Sequence, residues 1–198
     1  MRTATIARRC LLAGLVACLP LRAQALAPRL ADDHLRVAAP QLHFLTGKVL
    51  ERLHNGAPVA LLFQLTLAAD GSASASLKDV ARFVISYDLW EEKFSVVRLG
   101  DPAGPASHLS AEATQAWCID ALSLSVTGLA ADKPFWLRLE GRTEDPKEEA
   151  GIEAEGTVSL ARLVELFSRR TRSGQQRWTA QAGPVRLADL RKSSGRAR

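Results

Sequence analysis

The chain has 198 residues, 47% hydrophobic and 24% charged, which excludes a disordered, collagen-like or polytopic membrane protein and suits one domain with tails. Its formal net charge of +5 suggests an acidic partner, such as nucleic acid or an anionic membrane, but where the charges lie matters more than their sum.

Residues 1–25 read as a signal peptide. Arg2, Arg8 and Arg9 form a basic start, Cys10 to Leu21 is apolar, and Ala23-Gln24-Ala25 supplies small residues at a cleavage site. Pro20 ends the apolar helix just ahead of that site. Twelve apolar residues reach roughly 18 Å, short of the roughly 30 Å a bilayer core demands. Cleavage would start the mature chain at Leu26. Two bacterial variants stay open. Leu15-Val16-Ala17-Cys18 resembles a lipobox, with Cys18 as the lipidation site, and Arg8-Arg9 resembles a twin-arginine signal. All three readings place the protein outside the cytoplasm, in the periplasm or anchored at the envelope. Removal of the leader leaves Cys118 as the only thiol, so no intrachain disulfide forms. The plainer reading of Cys118 is a small buried hydrophobe rather than a nucleophile.

In the mature chain, residues 26–190 read as one domain and 191–198 as a disordered basic tail. Gln41 to His54 is expected as a helix, because Leu42, Leu45, Val49, Leu50 and Leu53 form one apolar stripe, and Asn55-Gly56 stops it. Val59 to Leu67 follows as a strand. Arg82 to Trp90 alternates, with Phe83, Ile85, Tyr87 and Leu89 on one face. Glu91-Glu92 turns the chain and Lys93 to Leu99 returns. Segments 101–108 and 143–151 are loops by composition. Ser110 caps a helix from Ala111 to Leu122, with Glu112 in its first turn. Phe135, Leu137 and Leu139 alternate with Trp136, Arg138 and Glu140. Ser159 caps a further helix to about Thr171, and Arg177 to Leu187 is a weaker strand broken by Gly183-Pro184. The order predicts an α+β fold: a mainly antiparallel sheet of about six to eight strands, packed with two or three helices.

This order, with Leu53-His54-Asn55-Gly56-Ala57-Pro58-Val59, Ile85-Ser86-Tyr87, Phe94-Ser95-Val96 and Trp178, resembles the exported bacterial domain-of-unknown-function family 4390. The resemblance spans about residues 35–190 and departs from the family in the small, polar stretch Ala69 to Lys78. It implies a fold and a compartment, and carries over no catalytic residue.

The sequence contains no G-x-S-x-G, S-x-x-K, H-E-x-x-H, C-x-x-C, Walker A or G-x-G-x-x-G motif, so no catalytic, metal or cofactor-binding residue is nominated. His43 and His54, eleven apart on the expected helix, would stand about 16 Å apart and share no metal. The pairs Glu91-Glu92 and Glu148-Glu149 sit in turns and read as solvated. Two surface candidates remain. Trp136, between charged neighbours, would line a ligand groove or partner surface, or else a second core layer. Arg169, Arg170, Arg172 and Arg177 cluster before the basic tail and would meet an envelope protein or anionic lipid head groups, giving peripheral membrane contact. As a nucleic-acid site the cluster lacks interleaved aromatics.

The charge resolves by region. The leader holds four basic residues and no acid, leaving 22 basic and 21 acidic residues. Residues 169–198 hold nine basic groups against Asp189, so the body 26–168 carries 13 against 20, a net −7. The expected function is a non-enzymatic exported interaction or accessory module. The alternative is a binding module for an apolar or lipid-like ligand between sheet and helices.

Overall fold

The computed structural model describes residues 26–69, 76–100, 104–144 and 175–196. Among these the chain forms β1 (Ala27–Ala31), β2 (His34–Ala38), α1 (Gly47–His54), β3 (Val59–Ala69), β4 (Leu77–Asp88), β5 (Lys93–Arg98) and β6 (Ala106–Leu109). It continues with α2 (Ala111–Asp120), β7 (Ser123–Ser125), β8 (Phe135–Thr143), β9 (Arg177–Val185) and α3 (Leu187–Arg196). A six-stranded sheet runs β6-β5-β4-β3-β8-β9 and a three-stranded sheet runs β1-β2-β7. Every described pairing is antiparallel, so the expected α+β class holds, with nine strands and three helices among the described residues.

The period-two pattern turns one face of the large sheet inward. Leu61, Phe63, Leu65 and Leu67 of β3, Phe83 and Ile85 of β4, and Leu137 and Leu139 of β8 are all buried. That face is covered by Leu35 and Val37 of β2, Val49 and Leu53 of α1, Cys118 and Ile119 of α2, and Leu187 of α3, in one core cluster. Phe63 sits at its centre, its ring 5.0 Å from Phe44 and 6.1 Å from Phe83, with Trp178 stacked 6.5 Å away. Gly141 lies directly opposite Phe63 on β8, and a Cβ there would stand 2.3 Å from the ring. This glycine therefore provides the space the ring occupies.

Several expectations need correction. The first helix begins at Gly47, not Gln41. Gly47 has φ +53°, which a helix interior does not admit, and the N–H groups of Phe44 and Leu45 donate to Gln115 rather than into a helix. His43 thus lies ahead of α1 instead of on it. Leu89 and Trp90 are turn residues, because the Asp88 carboxylate accepts from the N–H of Trp90 and Glu91 and ends β4 there. Part of the expected loop 101–108 is strand β6. The last strand passes through Gly183-Pro184 with a register shift, which an edge strand tolerates. Residues 191–196 are helical rather than a disordered tail, because Leu187 and Leu190 anchor α3 in the core. Strands β1, β2 and β7 had no counterpart in the sequence reading. The leader with Cys18, the helix expected from Ser159, Arg169, Arg170 and Arg172, and most of loop 143–151 lie outside the described residues.

Candidate functional site

Among the described residues, a concavity is built by β1, β2, the segment that follows β2, and α2. It is a groove of about 770 Å³, within the range of sites that enclose small organic ligands. Its apolar lining includes Val37, Leu42, Leu109, Ala116, Trp117 and Ile119. Each wall has a local cause. Ser110 starts α2 by accepting from the Ala113 N–H at 3.2 Å, while Thr114 Oγ1 donates to the Ser110 carbonyl at 2.8 Å. Ala113 and Ala116 lie one turn apart on α2, so two small side chains leave the space that is the groove. Trp117 is set edge-on against Phe83, ring centres 5.9 Å apart.

The opposite wall is tied to the helix by one side chain. Gln115 Oε1 accepts from the Phe44 N–H at 2.7 Å and the Leu45 N–H at 3.2 Å. Phe44 and Leu45 are buried, so this wall is part of the core on its far side. Charge stands at the rim. Arg29 pairs with Asp120, and Arg36 lies 3.6 Å from the same carboxylate. Glu112 accepts from Ser110 Oγ at 3.2 Å, and His43 is exposed. An apolar floor with a balanced charged rim suits an apolar group whose surroundings are wet.

A second surface lies beside the groove. The β4–β5 turn carries Leu89, 55% exposed, and Trp90, 96% exposed. An aromatic so fully in water is unusual for a structural role. Below it, Glu91 Oε2 lies 3.0 Å from Nε2 of His108, the residue before the groove-lining Leu109. Tip and groove are therefore contiguous.

The sequence candidates fall elsewhere. Trp136 is half-buried on the outer face of β8, against Gly183, where a Cβ would stand 2.5 Å from the indole. It borders a smaller hollow of about 340 Å³ with Pro134, Pro184, Arg186 and Asp189. Arg177 is exposed on edge strand β9, opposite Arg142. With Leu62 opposite both Arg142 and Arg82, the three arginines form one row across the outer face. Arg142 is only 2% exposed and Arg82 is paired to the buried Glu144, so Arg177 is the member of this row that faces solvent. Cys118 is buried, and desolvation pushes its thiol far above the ordinary range, which leaves it protonated and unreactive. Among the described residues no three His, Cys, Asp or Glu side chains gather as a metal site, and no helix is long and apolar enough to cross a membrane.

Neither the groove nor the exposed tip was nominated from sequence. The groove draws on residues from 27 to 120, and its only local trace is the pair Ala113 and Ala116 on α2. Comparisons with family models, curated proteins and solved structures return no match.

Proposed function

We propose that the protein is a non-enzymatic exported module that receives an apolar segment of a protein partner in the groove between β2 and α2. The observation that carries this reading is the groove itself: apolar, half open to solvent and rimmed by paired charges. A half-open trough suits a side chain carried on another polypeptide, whereas a small lipid-like ligand buries most of its own surface in its site. Export rests on the leader pattern of residues 1–25, and lipid anchoring at Cys18 is its variant. Kinship with family 4390 belongs to the same proposal and rests on the short segments quoted for it.

Ala116 is exposed and lines the groove, so Ala116→Arg fills it without entering the core. In gentle extracts of cells producing the protein, the wild type elutes above its own mass and A116R elutes at it. Glu51→Arg, on the exposed side of α1, leaves the profile unchanged. Identical profiles for wild type and A116R would contradict the proposal. Lipid-sized adducts on the purified protein that A116R removes would favour the small-ligand alternative.

A further inference from the structure

We infer that the occupant of the groove is the Leu89–Trp90 hairpin tip of a second copy of this chain, in a reciprocal dimer. The inference rests on the groove being a protein-binding surface, and it names the partner. Three observations support it.

The first is supply and demand of apolar surface. The tip presents an indole 96% exposed beside a leucine 55% exposed, and the groove offers about 770 Å³ floored by Leu42, Trp117 and Ile119. An indole needs an apolar slot with room for its ring, and this is the slot the described surface provides.

The second is contiguity. The tip reaches Glu91, Glu91 meets His108, and Leu109 already lines the groove, so the projection and the cavity adjoin on one end of the molecule. A patch made of a projection beside a matching cavity is self-complementary. A two-fold axis between them puts each tip into the other copy's groove and closes the assembly at two.

The third is area. A tryptophan buries on the order of 200 Å², and the lining it covers loses about as much. Two such insertions, with Leu89 and the flanking turn, reach about 1,000 Å², the lower bound for a specific interface.

Strand addition at β6, the sheet edge next to the tip, is blunted. That edge strand has four residues, a register shift against β5, and His108 at φ +60°. Charge does not drive the contact. Asp88, Glu91 and Glu92 flank the tip, while the rim carries Arg29 and His43 as well as Glu112 and Asp120. The dimer therefore persists as salt is raised, where a charge-driven pair would dissolve.

Sedimentation of the purified protein from micromolar to millimolar concentration tests this. The expected result is twice the chain mass, with Trp90→Ser and Ala116→Arg each lowering dimer affinity at least tenfold. An equal mixture of the two variants recovers part of the dimer, because one keeps its groove and the other its tip. The Trp90 contribution to fluorescence, isolated as the difference from Trp90→Phe, shifts to the blue as the dimer forms. A melting temperature for W90S equal to that of the wild type at dilutions where both are monomeric shows that the fold is intact. A monomer at every concentration, or a dimer indifferent to W90S, overturns the inference. If A116R still shifts the profile in cell extracts, only the second copy is excluded as the partner. If it does not, the groove reading fails too.

Discussion

Gly141 shows how much a single missing atom contributes. Phe63 fills the space above it, and a methyl there would stand 2.3 Å from that buried ring. Gly141→Ala is expected to cost about 1–3 kcal/mol through overpacking, read as a lower urea midpoint at unchanged slope. The sequence shows the alternation of β8 but not this contact, because facing residues 63 and 141 are joined only by tertiary pairing. Asp88 is a second case. Its carboxylate is held below the usual value of 3.8 by the N–H of Glu91 and then that of Trp90. A depressed folded value contributes stability that is present above the unfolded value and lost as pH falls through the folded one. The Trp90 and Glu91 amide resonances of the tip are therefore expected to titrate with a midpoint below pH 3.8. Asp88→Asn keeps an accepting oxygen and abolishes that titration. Glu91-Glu92 marked the turn in the sequence. The exposure of Trp90 did not show, because the alternation from Phe83 to Leu89 continues past the residue where Asp88 ends the strand.

At the scale of elements, α2 matters most to the site. Its start was legible: Ser110 and Glu112 form the expected cap, and Ser110→Ala is expected to cost about 1 kcal/mol in thermal unfolding. Its partner was not. Residues 41–46 carry a helical apolar spacing, yet Leu42, Phe44 and Leu45 all reach the core from an irregular segment. Propensity lost to tertiary bonding here, because Gln115 supplies the acceptor for two backbone donors. Gln115→Ala leaves both N–H groups without it and is expected to cost about 1–3 kcal/mol and loosen the groove wall. Gln115→Glu keeps an acceptor and is expected to restore most of that loss. The comparison is read by chemical denaturation and by amide exchange at Phe44 and Leu45. Strands β1, β2 and β7 escaped notice because they are three to five residues long and their pairing is set by the chain end and α2 rather than by a strong local period.

For the whole molecule, the fold class followed from alternation in β3, β4, β5 and β8, since half-buried antiparallel strands record their two faces in sequence. A binding surface leaves no such record. The groove collects residues 27 to 43 and 109 to 120, and its space comes from what alanines lack. Charge, by contrast, sharpened on dissection: an apparent +5 becomes an acidic body of −7 with basic residues near the C-terminus. Of the arginines proposed for partner contact, Arg177 lies on the outer face beside buried Arg142, far in sequence from the groove. Glu144 closes that face by pairing with Arg82. Glu144→Ala removes the buried carboxylate paired with Arg82 and is expected to lower stability, read as a lower urea midpoint.

On the proposed reading, the groove between β2 and α2 holds a polypeptide. A photo-crosslinking amino acid at position 116, activated in intact cells, tests it by the mass of its adduct, with position 51 as the control. A polypeptide adduct is expected from 116 and none from 51, at twice the chain mass if the occupant is a second copy. No polypeptide adduct at 116, or equal adducts at both positions, would contradict it.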